Sequence, residues 1–154
     1  LTQLAVQYAS YLKANAQNKE DSKKYVEENA AQRDLAQKAL DVRQKELENE
    51  KKSSVERLNA AWDRFSAEQK TSLQQDQSDW FEKRNIDCKV LSQKNVHELD
   101  EKERETYQKQ AEYWNEAMYQ QNQDIQYSKC FIQKTKERAV YLNNVFNSVH
   151  DKNR

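Results

Sequence analysis

The chain contains neither glycine nor proline in its 154 residues. Glycine supplies the positive φ angles of tight turns and proline interrupts helices, so a chain that lacks both has few ways to reverse direction sharply. Residues that favour helices, such as Ala, Gln, Glu, Lys and Leu, are abundant instead. The composition therefore predicts an all-α protein whose turns depend on Asn, Asp and Ser.

The absence of glycine also limits the chemistry of the chain. Phosphate-binding loops, dinucleotide-binding fingerprints and the nucleophile elbow of hydrolases all need glycine, because their backbone must turn tightly or approach a ligand closely. We therefore predict that the protein is not an enzyme and that it needs no cofactor.

Only 36% of the residues are hydrophobic, whereas 34% are charged. So thin a core suits long helices that each bury one narrow stripe. Intrinsic disorder is the alternative, but 8 Tyr, 4 Phe and 3 Trp with a net charge of zero argue against it. We expect one elongated antiparallel bundle of four to five helices.

The charges are balanced, with 26 basic and 26 acidic residues. Such a chain has no overall field that would attract nucleic acid, so no nucleic-acid partner is predicted. No run of about 20 apolar residues is present, which predicts no membrane span. The sequence opens on Leu1 rather than Met, and we expect a processed product whose targeting segment has been removed.

Apolar spacing predicts where the helices lie. We expect a short helix over residues 1–17, a break at Asn18–Ser22 and a long helix over 23–65. Ser66 and Gln69 have the spacing of a capping box, which predicts a corner and a new helix that ends within 85–90. Two stretches separated near Asn95 or Asn122 and a last helix over 128–148 complete the prediction.

An ordered set of residues runs through the second half of the chain. A Leu-Asn pair precedes a Trp, a helix then carries Leu, Gln, Trp, Arg and Cys three or four residues apart, and a last helix carries Cys, Thr, Arg and Leu. These residues are Leu58, Asn59, Trp62, Leu73, Gln77, Trp80, Arg84, Cys88, Cys130, Thr135, Arg138 and Leu142. Over roughly residues 55–146 this pattern resembles the LprI-like family, which includes the N-terminal region of the lysozyme inhibitor LprI.

The resemblance implies an exported helical protein, periplasmic, extracellular or lipid-anchored. It implies a binding or inhibitory protein, and one branch of the family is named for inhibition of lysozyme. A lysozyme-like enzyme or another envelope protein is therefore the expected partner. The alternative is a structural or adaptor protein with a coiled-coil-like arm over residues 23–65.

The resemblance also suggests a division of the chain. We expect an N-terminal helical extension over 1–54 and an LprI-like domain over 55–148. That domain would carry an inserted helical segment around 92–126, and a frayed tail would follow over 149–154.

Cys88 and Cys130 are the two cysteines. Their number alone leaves open whether they form a disulfide or remain two buried thiols. The resemblance implies export and hence a disulfide between them. Gln77 and Arg84 share one helix face with Trp80, and we expect a structural role for both. Arg84 is expected to bond a helix-end carbonyl or an acid.

Other residue patterns give little chemistry. His97 and Glu101 share a helix face, but a catalytic zinc site needs three protein ligands, so no metal site is predicted. No catalytic residue is predicted either. Aromatic side chains are enriched in protein interfaces, and Tyr113, Trp114 and Tyr119 are the candidates for partner contact. The alternative for Trp114 is a buried stripe with Tyr107 and Met118.

Overall fold

The computed structural model describes residues 2–94 and 99–152, and this part of the chain is all-α and contains no strand. It comprises four helices: α1 (Thr2–Asp63), α2 (Ala67–Ser92), α3 (Glu101–Ala111) and α4 (Glu116–Lys152). They form an elongated bundle with one disulfide, which confirms the predicted all-α class. No helix of the described residues is both long enough and apolar enough to cross a bilayer.

Helix α4 is the centre of the bundle, since both α1 and α2 pack against it. Leu40 of α1 lies in one core cluster with Met118, and Leu58 lies in a second with Leu142, so α1 and α4 run parallel. Helix α2 runs the opposite way, because Gln77 bonds Arg138 while Cys88 is joined to Cys130.

The seam of α4 repeats at alternating intervals of three and four residues, as in a coiled coil. Its buried or half-buried positions are Met118, Gln121, Ile125, Ser128, Ile132, Thr135, Ala139 and Leu142. From Met118 to Thr135, apolar layers thus alternate with polar ones. Gln121 donates to Asp41 Oδ1 at 2.9 Å and to Gln44 Oε1 at 2.8 Å, and Gln37 donates to Gln121 Oε1 at 2.7 Å. A polar side chain on a seam fixes the register of the helices at some cost in stability.

Helix α1 is continuous, so the predicted break at Asn18–Ser22 is wrong. Asn, Asp and Ser lower helix propensity by only tenths of a kcal/mol each, and without glycine or proline nothing forces the helix to stop. Gln17 Nε2 also donates to Asp21 Oδ1 one turn later, at 3.0 Å, which satisfies the Asp side chain within the helix.

The corner between α1 and α2 is the predicted capping box. Ser66 Oγ accepts a hydrogen bond from the backbone N–H of Gln69 at 3.2 Å, and Gln69 Oε1 accepts one from the N–H of Ser66 at 2.8 Å. Two free N–H groups at the start of α2 are thereby satisfied. Helix α2 then continues to Ser92, two residues beyond the expected end.

The boundary between the last two helices differs from the prediction. Asn122 lies inside α4, and the break falls between Ala111 and Glu116, so α4 begins twelve residues before Ser128. Asn115 explains this position, because its Oδ1 accepts from the N–H of Met118 at 2.9 Å and so caps the helix. Asn95 and His97 lie outside the described residues. Within the expected tail, α4 remains helical as far as Lys152.

Candidate functional site

The seam between α2 and α4 gathers arginine and aromatic side chains. The guanidinium carbon of Arg84 lies 5.0 Å from the ring centre of Trp80 and 3.9 Å from that of Phe131. The guanidinium carbon of Arg138 lies 5.6 Å from Trp80 and 4.6 Å from Tyr141. Both arginines are buried, with exposed fractions of 7% and 9%. Trp80 thus contacts two cations, which attract its ring face electrostatically.

Each arginine satisfies its donors differently. Arg138 Nη2 donates to Asp76 Oδ2 at 2.6 Å, and its Nε donates to Gln77 Oε1 at 2.9 Å. Arg84 donates from Nε and Nη2 to Asn85 Oδ1 at 3.1 and 3.0 Å, and from Nη1 to Thr135 Oγ1 at 3.4 Å. The expected bond of Arg84 to a helix-end carbonyl or an acid is therefore wrong, since its partners are a neighbouring amide and a hydroxyl.

The disulfide joins α2 to α4 next to this arginine-lined seam. Cys88 and Cys130 are bonded, with their Cα atoms 5.4 Å apart, and both are buried. This confirms the predicted pair. It also fixes Arg84, one turn before Cys88, opposite α4.

The structure brings most of the motif residues together at one end of the bundle. Leu58 and Leu142 lie in one core cluster, against which Trp62, Leu73 and Trp80 pack. Gln77, Arg84, Thr135 and Arg138 form the buried polar layer beside it. Asn59 is exposed and lies outside this group.

The residues proposed for partner contact form part of an aromatic cluster. The ring centres of Tyr107, Trp114 and Tyr119 lie 5.4–6.2 Å apart. Trp114 also packs against the core cluster that contains Met118, so this side chain has an internal partner. Burial, with a smaller effect from Tyr119, raises the pKa of Tyr107. The rings are half-buried, as is Tyr113, whose carbonyl accepts from Arg33 Nε at 3.4 Å.

The first half of α1 is a second candidate surface, which the sequence analysis did not single out. Residues 2–28 are all exposed. We call residues 2–35 the arm, and it spans about 50 Å of helix at 1.5 Å per residue. Its exposed large apolar side chains are Leu4, Val6, Tyr8, Tyr11, Leu12, Tyr25, Val26 and Leu35.

The described residues contain no group of three or more His, Cys, Asp or Glu side chains placed to hold a metal ion. Comparisons with protein-family models, with curated protein sequences and with solved structures each found no match.

Proposed function

We propose that the protein is an exported binding protein of the LprI-like type that acts by protein–protein contact, with the arm as its contact surface. The exposed apolar stripe of the arm is the observation that carries this proposal. Leu4, Tyr8, Tyr11 and Leu12 lie on one face of α1, and Leu4 is 74% exposed. Residues 2–12 include no charged side chain, so a partner can cover this face without burying a charge.

Tyrosine suits such a contact. It buries a large ring with little loss of conformational entropy and keeps a hydroxyl for hydrogen bonding. Tyr8 and Tyr11 lie one turn apart and are each more than 60% exposed. Side chains of this type carry most of the binding energy in measured interfaces.

Two further observations support export and the class of partner. The disulfide is typical of proteins that mature in an oxidising compartment. The ordered motif resembles a family with a lysozyme-inhibiting branch, so we propose a lysozyme-like or other peptidoglycan-degrading enzyme as the partner.

An inhibition assay with a c-type lysozyme at low salt tests the proposal. We expect the protein to slow peptidoglycan lysis at micromolar concentration, and Tyr8→Ser with Tyr11→Ser to weaken inhibition by more than about tenfold, as loss of hot-spot residues does. Ile86→Ser with Val90→Ser is the matched control, because these side chains are also exposed but lie on α2. Absence of inhibition and of binding at micromolar concentration would contradict the lysozyme proposal.

A structural or adaptor role through self-association is the second candidate. It is favoured because α4 covers the seam of α1 only from about Ala36 onwards, and residues 2–28 of the arm are all exposed. The free part of the coiled-coil-like arm is thus 2–35 rather than 23–65. Sedimentation equilibrium should show a dimer that Leu12→Asp dissociates, whereas a monomer at every concentration contradicts this role.

A further inference from the structure

A groove of about 240 Å³ lies between α2 and α4 on the outer side of the arginine seam. Its walls include the rings of Trp80 and Tyr141. Its charged lining comprises four basic and two acidic side chains, which are Lys83, Arg84, Lys134, Arg138, Asp87 and Glu137. The lining is therefore basic, although the whole chain has no net charge.

The charge of Arg84 has no counter-ion in the described part of the chain. Its hydrogen-bond acceptors, Asn85 and Thr135, are both neutral, and no described carboxylate lies within 4 Å of its guanidinium. The side chain is nevertheless only 7% exposed. Burial lowers the pKa of Arg84, because loss of solvent around the guanidinium penalises its charged form. An anion beside it would offset this cost.

Arg138 leaves donors free on the same groove. Its Nε and Nη2 are engaged by Gln77 and Asp76, whereas Nη1 has no hydrogen-bond partner among the described residues. Among the four basic lining residues, Lys134 is paired with Asp87 at 3.7 Å and Arg138 with Asp76 at 2.6 Å. The other two, Lys83 and Arg84, have no carboxylate partner in the described part of the chain. Glu137, the other acid of the lining, accepts a hydrogen bond from Gln133 at 3.3 Å.

We propose that this groove binds an oxyanion, a carboxylate or phosphate group, held between Arg84 and Arg138. Guanidinium groups recognise such groups through paired charge-assisted hydrogen bonds. Lys83 supplies further positive charge at the rim, and Trp80 and Tyr141 provide ring faces for the rest of the molecule. The volume equals that of about eight water molecules, which limits the ligand to a small molecule or a single side chain. This site is separate from the arm and does not depend on the proposed function.

The test is an NMR titration of the arginine Nε–Hε signals of the full chain with sodium acetate, sodium benzoate and inorganic phosphate, each against sodium chloride at equal ionic strength. We expect saturable shifts of Arg84 and Arg138 with a Kd on the order of millimolar. Benzoate binds more tightly than acetate if the ligand is an organic carboxylate, and phosphate binds most tightly if it is a phosphate group. Shifts that do not saturate with any of the three, or that chloride reproduces, overturn the proposal.

Variants assign the binding to this groove. Arg84→Gln should abolish the saturable shift of Arg138. Lys83 is an exposed rim residue whose replacement leaves the core intact, so Lys83→Gln should keep the fold and weaken binding by roughly threefold to tenfold. Lys89→Gln, an exposed change on α2 outside the groove, is the matched control. An equal effect of Lys83→Gln and Lys89→Gln overturns the proposal even if Arg84→Gln does not fold.

Discussion

Arg138 Nε donates a 2.9 Å hydrogen bond to Oε1 of Gln77, and both side chains are buried between α2 and α4. The two residues are 61 positions apart in the chain, so this bond links the part of the motif on α2 to the part on α4. Asp76 Oδ2 accepts from Nη2 of the same guanidinium, and Gln77 is the acceptor for its Nε.

Gln77→Ala should lower the free energy of unfolding by about 1–3 kcal/mol, because the buried Nε of Arg138 then loses its acceptor. Urea unfolding followed by circular dichroism measures the change. Gln74→Ala is the control, since Gln74 is exposed on the same helix and Ala favours helix formation. Equal effects of the two substitutions would show that the bond contributes nothing.

Removal of the disulfide should destabilise the protein. Cys88 and Cys130 are separated by 42 positions, and closing a loop of this size is worth about 4 kcal/mol in the chain-entropy model. Urea unfolding with and without reductant measures the loss. The variant Cys88→Ser with Cys130→Ser should unfold at the lower urea concentration in both conditions, and a further effect of reductant on it would contradict this explanation.

Replacing a leucine of α1 with alanine should lower the free energy of unfolding strongly only where α4 covers that leucine. Leu47 is 2% exposed in the core, and Leu47→Ala should cost about 2–5 kcal/mol. Leu35 is 60% exposed at the end of the arm, and Leu35→Ala should change the unfolding free energy by less than about 0.5 kcal/mol. A large effect at Leu35 would mean that the arm packs against something in solution.

The carboxyl group of Asp41 reports on the polar layer of the α1–α4 seam. Hydrogen bonds from Gln121 first and from Gln37 second lower the pKa of Asp41 below its ordinary value. Because the pKa is lower in the folded state, the stabilisation is present above the unfolded pKa and is lost as pH falls through the folded pKa. Gln121→Ala should raise the pKa of Asp41 in an NMR titration, whereas the exposed control Gln123→Ala should leave it unchanged.

The sequence determined the helical class and one corner. Without glycine or proline the backbone has little alternative to helix, and the Ser66–Gln69 box acts within one turn, so both follow from local interactions alone. The pairing of Cys88 with Cys130 followed from the resemblance to an exported family.

Tertiary structure decided the rest, because it depends on which side chains meet across helices. Asn18 and Asn115 are equally possible helix breaks in the sequence, yet only Asn115 caps a helix. Its Oδ1 accepts from the backbone N–H of Met118, whose side chain lies in the core. Likewise, the spacing of apolar residues along α1 does not show that Leu47 is buried and Leu12 exposed. That difference depends on where α4 begins, at Glu116, because α4 covers Leu47 but does not reach Leu12. The hydrogen bond from Arg84 to Thr135 also depends on tertiary structure, because the two residues are 51 positions apart and lie on different helices.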